Sequence, residues 1–196
     1  MTPILPKLER DYRDVKGSRE RLIELGPKGF ADWMRGQKEV LITDTTMRDA
    51  HQSLFATRMR SRELWEIAPY YAKLMPELFS IECWGGATFD VSMRFLNEDP
   101  WERLTILREM IPHTLFQMLL RGVNGVGYTS YPDNVIKYFV AQAAEKGIDL
   151  FRVFDSLNIV DNMRVSMDAV LEADKLCEGT ICYTGDVFDA SRPKYQ

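Results

Sequence analysis

The chain has 196 residues, of which 45% are hydrophobic and 28% charged, with a formal net charge of -4. That composition suits one globular domain with a substantial core, and its slight acidity argues against a nucleic-acid partner, which needs a basic face. No apolar run approaches the roughly 20 residues that span a bilayer, and the opening MTPILPKLERDYRD lacks the basic start and apolar stretch of a secretory signal.

Residues 1–38 read as a helical lead-in. They are charged, carry Pro3, Pro6 and a Gly26-Pro27 break, and contain no strand-like run. Ser18 is placed to cap a short helix to Leu25. Pro27 suits the first turn of a second helix with Phe30, Trp33 and Met34 on one side.

Residues 39–196 follow a different rhythm. Apolar runs at 40–43, 78–83, 115–120, 150–154 and 180–183 recur at intervals that fit a strand-helix unit, and their continuity suits parallel strands buried on both faces. Helical patterns fill the gaps. Leu64, Ile67, Ala68 and Tyr71 follow Ser61 as N-cap. Asp99 caps the next helix, with Pro100 in its first turn and Glu102 at the third position. Pro132 opens another, which Gly147 stops, and Met163, Met167 and Val170 mark the fourth. Alternating strands and helices mean α/β, either a doubly wound sheet or a (β/α)8 barrel. The first strand leads into TTMRD rather than a glycine-rich phosphate cradle, so the barrel is preferred. About five strands are present, fewer than the roughly eight of a closed barrel, so the expectation is a partial TIM barrel. Cys83, Cys177 and Cys182 are odd in number and lack CxxC spacing. They read as reduced thiols of an intracellular protein.

In such a barrel, chemistry gathers at the C-terminal ends of the strands. After the first strand, residues 48–52 pack Arg48, Asp49, Ala50, His51 and Gln52 together. They form either a polar loop in which Arg48 and Asp49 pair, or a site in which Asp49 offers a hard oxygen to a divalent cation. Arg121 ends the third strand before several glycines; it is either a surface arginine on a flexible turn or a bidentate anchor for a small carboxylate. The paired glycines Gly85 and Gly86 read as turn residues. Asp155 and Asp186 are equally suited to capping. Glu82 lies inside a strand, where an acid is costly unless paired. His113 precedes a strand, on the stability face. The tryptophans and methionines read as core.

These residues carry a resemblance. TDTTMRDAHQSL (43–54), ECWGGATFDV (82–91), FQMLLRG (116–122), GYTSYPD (127–133), FRVFDSLN (151–158) and YTGDV (183–187) are similar, in the same order, to the carboxyltransferase domain of pyruvate carboxylases. The segment GPKGFADW (26–33) resembles the stretch before that barrel, which favours this family over the related oxaloacetate decarboxylase and transcarboxylase acceptor subunits.

The resemblance implies biotin-dependent, ATP-driven carboxylation of pyruvate to oxaloacetate, this chain belonging to the part that moves the carboxyl group from carboxybiotin to pyruvate. It implies a divalent metal, manganese or zinc, held by Asp49 with two histidines and a carboxylated lysine beyond Gln196. Pyruvate would be held by Arg121 and Gln52 with Arg48 nearby, Ala50 and His51 belonging to the same substrate-binding stretch. Asp90 and Tyr128 would receive part of the biotin ring. Biotin on a carrier domain, ATP and magnesium at a separate domain, the remainder of the barrel and a homotetrameric assembly are the implied partners, without nucleic acid or membrane. The compartment implied is the cytoplasm of a bacterium or the mitochondrial matrix of a eukaryote. On this reading the chain alone is inactive; the reading from another class is a non-catalytic docking or assembly fragment.

Overall fold

The computed structural model describes residues 15–189 and 191. Pro3, Pro6 and the N-terminal run judged against a signal peptide lie outside the described residues.

Helix α1 (Ser18–Arg35) is kinked at Gly26, where φ is 67° and ψ 169°, immediately before Pro27. The Gly-Pro break therefore separates two helical pieces as expected. Gly17, not Ser18, is the N-cap. The Ser18 hydroxyl instead accepts from the Leu115 N–H at 3.0 Å and ties the helix to a strand.

Five parallel strands follow in the order β1-β2-β3-β4-β5. They are β1 (Thr43–Asp44), β2 (Ser80–Gly85), β3 (Leu115–Leu120), β4 (Leu150–Phe154) and β5 (Leu176–Thr180). Sequential order without reversal belongs to a barrel, not to a doubly wound sheet, whose strand order reverses. β1 and β5 are the two edges of the part-barrel.

The intervening helices are α2 (His51–Phe55), α3 (Ser61–Leu74), α4 (Thr88–Val91), α5 (Pro100–Met110), α6 (Asp133–Glu145) and α7 (Asp161–Glu172). Leu64, Leu104, Val140 and Val170 from four of them share one core with Ile81, Phe116, Phe151 and Val153 of the strands. Alternate strand residues point the other way. Of these, Leu115, Leu150 and Leu176 form a second cluster with Leu22 and Phe30 of α1. α1 thus plugs the end of the part-barrel at which the strands begin.

Further local expectations need correction. β2 runs over Ser80–Gly85, two residues later than 78–83. β5 runs over Leu176–Thr180, earlier than 180–183. Glu178 and Gly179 break its apolar run, but Arg152 of β4 neutralises Glu178 at 2.7 Å. β1 is shorter and later than 40–43, because it is an edge: Val40 is 88% and Ile42 62% exposed. Ser61 is the first residue of α3 and Arg60 its cap. The Ser61 hydroxyl donates to Glu98 at 2.7 Å and accepts from the buried Arg103 at 2.8 Å. Asp99, by contrast, caps α5 as read, accepting from the Trp101 N–H at 2.8 Å.

Candidate active site

The loop after β1 is shaped by Asp44. Its carboxylate accepts from the Thr46 N–H at 2.9 Å, the Thr46 hydroxyl at 3.1 Å and the Tyr71 hydroxyl at 3.1 Å. The chain then winds into one π-helical turn, Thr46–Ala50, before α2. Such widened turns are frequent at functional sites. Here the turn buries Met47 and Arg48 and leaves Asp49 outward.

Arg48 is the centre of the site. Its Nη1 lies 3.0 Å from Asp49 Oδ1 and donates to Gln52 Oε1 at 3.2 Å. Its Nη2 donates to the buried Glu82 carboxylate. Gln52 Oε1 also accepts from the Ala87 N–H at 3.1 Å. With its oxygen held twice, the Gln52 amide nitrogen is left as the donor for a ligand. Burial is the largest influence on the Arg48 guanidinium and lowers its pKa; Asp49 opposes that, and Arg152 and Arg121 add to it. Three arginines thus share one electrostatic neighbourhood.

Gly86 makes the close packing possible. Its φ is +54°, and a Cβ there would lie 2.8 Å from Gln52 Oε1 and 2.9 Å from Arg48 Nη1. The glycine pair is therefore more than a turn.

Arg121 lies just beyond β3. Its Nη1 donates to the Gly127 carbonyl at 2.7 Å, and its guanidinium sits 5.1 Å from the Tyr128 ring centroid. The Tyr128 hydroxyl donates to Asp90 Oδ2 at 3.4 Å, and Arg94 holds the other oxygen at 3.0 Å. Asp90 and Tyr128 open onto a cavity of about 330 Å³ whose wall includes Phe89, Met93 and Phe139. Behind it Trp84 stacks on Phe139, ring centroids 5.7 Å apart.

The structure brings Arg48, Asp49 and Gln52 together, and joins Arg121, Tyr128 and Asp90. It does not bring His51 to the cleft. His51 is 2% exposed, with Nε2 2.9 Å from the Met47 carbonyl. Burial lowers its pKa, which favours the neutral ring. Ala50 contributes backbone, its N–H donating to the Thr45 carbonyl at 3.0 Å. Asp155 accepts the N–H groups of Leu157 and Ile159 at 2.9 and 3.0 Å, ordering the lead into α7. His113 pairs with Glu20 of α1 on the opposite end. Glu82, Gln117 and Arg152 escaped assignment to the site, although an acid inside an apolar strand was the signal for the first.

Asp49 fits a metal as a single donor. Its carboxylate is half-exposed at the strand end, but no group of three His, Cys, Asp or Glu side chains placed to hold an ion occurs among the described residues. No described helix is long and apolar enough to cross a membrane.

No protein-family model matches the chain. Pyruvate carboxylase of Bacillus subtilis is 58% identical over 193 residues, which cover 98% of this chain and 17% of that protein. Mitochondrial pyruvate carboxylase of Homo sapiens is 58% identical over 179 residues, 91% of this chain and 15% of that protein. The carboxyl transferase domain of Rhizobium etli pyruvate carboxylase, solved with pyruvate and biocytin, has a TM-score of 0.93 at 62% identity, covering 100% of this chain and 32% of that chain. The chain thus spans under a fifth of the length of these curated relatives. With sequence and fold in agreement from end to end, the chain corresponds to part of the carboxyltransferase domain of the pyruvate carboxylase family.

Proposed function

We propose that this chain builds one side of the site at which a biotin-dependent carboxylase transfers a carboxyl group from carboxybiotin to pyruvate. The observation that carries the reading is the gathering of Arg48, Asp49 and Gln52 after β1, with Arg121 at the end of β3. The remaining strands of the barrel, the biotin carrier and the ATP-consuming domain belong to protein outside these residues, and the compartment is that of the bacterial or mitochondrial relatives.

Each residue has a task. Arg121 binds the pyruvate carboxylate and places positive charge where the enolate oxygen develops; such preorganised charge lowers the barrier. Gln52 donates its amide N–H to the same substrate, and Arg48 fixes that amide. Asp90 and Tyr128 receive the biotin ring over the apolar wall of their cavity, the carboxylate accepting a ureido N–H. Asp49 would supply one oxygen to a divalent metal, which would offer Lewis-acid polarisation of a substrate oxygen.

The test is Arg121→Ala in the complete carboxylase. Oxaloacetate formation should fall by about 100-fold or more, as expected when a buried carboxylate loses its charged partner, while biotin-dependent ATP cleavage persists. Near-normal pyruvate carboxylation would remove Arg121 from the site and this reading with it.

A further inference from the structure

A line of side-chain hydrogen bonds crosses the inner face of the sheet. Thr43 Oγ1 of β1 lies 2.8 Å from Ser80 Oγ of β2. Ser80 donates to Gln117 Oε1 of β3 at 3.1 Å. The Gln117 amide donates to Glu82 Oε2 at 3.1 Å, returning to β2. Glu82 Oε1 then accepts from Arg48, and Arg48 reaches Gln52. Arg152 of β4 approaches Glu82 Oε2 at 3.8 Å and binds Glu178 of β5. The line starts beside Leu115, the register partner of Ser80, and ends at Arg48 and Gln52.

Stability does not explain this arrangement. Glu82 and Arg48 are 2% and 3% exposed, and a well-packed apolar pair in such a place is commonly as stable or more so. What an ion pair adds is a fixed direction. Arg48 has two anionic neighbours, Asp49 at the half-exposed rim and Glu82 below. Without Glu82 the Nη2 end of Arg48 loses its anchor, and the guanidinium is free to swing about its remaining contacts at the rim. Its hydrogen bond to Gln52 Oε1 is then free to break, and the Gln52 amide can turn over.

We propose that Glu82 is a positioning residue of the site: it anchors Arg48 from below, and Arg48 in turn fixes the Gln52 amide toward substrate. Gln117 holds the second Glu82 oxygen and so sets the plane of the carboxylate. The inference rests on the proposed carboxyl transfer and deepens it.

The experiment is a comparison of Glu82→Gln, Arg48→Met and the double variant in the complete carboxylase. Glu82→Gln should raise KM for pyruvate and Ki for oxamate together by about 10-fold, the scale of a lost charged contact, with a smaller fall in kcat. Biotin-dependent ATP cleavage should be unchanged. A purely structural role would lower kcat through a reduced active fraction and leave KM and Ki alone; that result overturns the proposal. In the Arg48→Met background Glu82→Gln should change oxamate Ki by less than about twofold, since the two act as a unit. A full further loss there would show that Glu82 acts by another route. If Glu82→Gln does not fold, Glu82→Asp, which keeps the charge but shortens its reach to Arg48, takes its place: KM and Ki raised together with ATP cleavage intact support the proposal, and KM and Ki unchanged overturn it. Wild-type protein that makes no oxaloacetate overturns the proposed function and this inference together. An active wild type with Glu82→Gln unchanged overturns the inference alone.

Discussion

The two ends of the part-barrel are each built around an arginine, Arg48 buried and Arg108 partly so, and they use it in opposite ways. At the floor, Arg108 spends every donor: Nε and Nη2 on the Gly147 carbonyl, Nη1 on Ile111 and Thr114, and Nη2 again on Asp149 at 2.7 Å. Asp149 also takes the Phe116 N–H at 3.1 Å, with Arg19 at 3.3 Å and Lys175 at 3.6 Å. Burial pushes the Arg108 pKa down to about 10, with Asp149 opposing it. At the mouth, Arg48 Nε has no partner, and the Arg48 neighbours carry groups still available to a ligand. A saturated network holds strands and α1 in one geometry. An unsaturated one has bonding capacity left for substrate.

The largest expected effect comes from breaking the saturated end. Asp149→Ala removes the buried carboxylate that Arg108 is paired with and orphans the Phe116 N–H. Removing one partner of a buried pair typically costs about 3–5 kcal/mol. Denaturant unfolding of the complete carboxyltransferase domain should show that loss. A change below about 1 kcal/mol would mean that the floor tolerates rearrangement, and the contrast between the two ends would fail.

An intermediate effect is expected at the mouth from Gly86→Ala. The backbone there is left-handed, and an added Cβ meets Gln52 Oε1 and Arg48 Nη1. The conformation costs a non-glycine residue roughly 1–2 kcal/mol. Both contacts are to side-chain ends that can yield, so the domain should still fold. Displacing them should nonetheless raise KM for pyruvate by about 10-fold, because misplacement of an ångström is costly in a preorganised site. A variant that loses stability but keeps KM would show that Gly86 serves the turn alone.

The same contrast explains what was legible in the sequence. β3 and β4 stand where their apolar runs put them, because a single polar residue in each, Gln117 and Arg152, leaves the run recognisable. β5 did not, because Glu178 and Gly179 in succession leave no apolar run, and the partner that compensates Glu178, Arg152, lies 26 residues earlier. The residues after β1 were legible as a cluster, since 48–52 are adjacent in the chain. Glu82 and Gln117 were not, since their link to Arg48 spans 34 and then 35 residues. His51 reads as a site residue by adjacency, yet the π-helical turn and α2 direct its ring inward. Periodicity speaks of faces; it does not foretell a widened turn.

The smallest effect belongs to the outer rim of the floor, where α1 meets the barrel. Glu20 Oε1 lies 2.5 Å from His113 Nδ1, and Glu20 Oε2 accepts from the Gly17 N–H at 2.8 Å. Burial acts to raise the Glu20 pKa, but the hydrogen bonds from His113 and Gly17 outweigh it, and the net shift is downward from 4.5. The folded state therefore holds the Glu20 proton less tightly than the unfolded chain does. Its stabilisation is complete above the ordinary value and drains away as pH falls through the lower folded-state pKa. The side chain is 35% exposed, so solvent screening keeps the contribution below about 1 kcal/mol. Glu20→Gln should narrow the stability difference from wild type in one direction only: visible at neutral pH, shrinking below pH 4.5 and gone once both forms are neutral. Unfolding of the complete domain across that range, wild type against variant, measures it. A difference that grows on acidification would reverse the sign and show that Glu20 is stabilised in its protonated form.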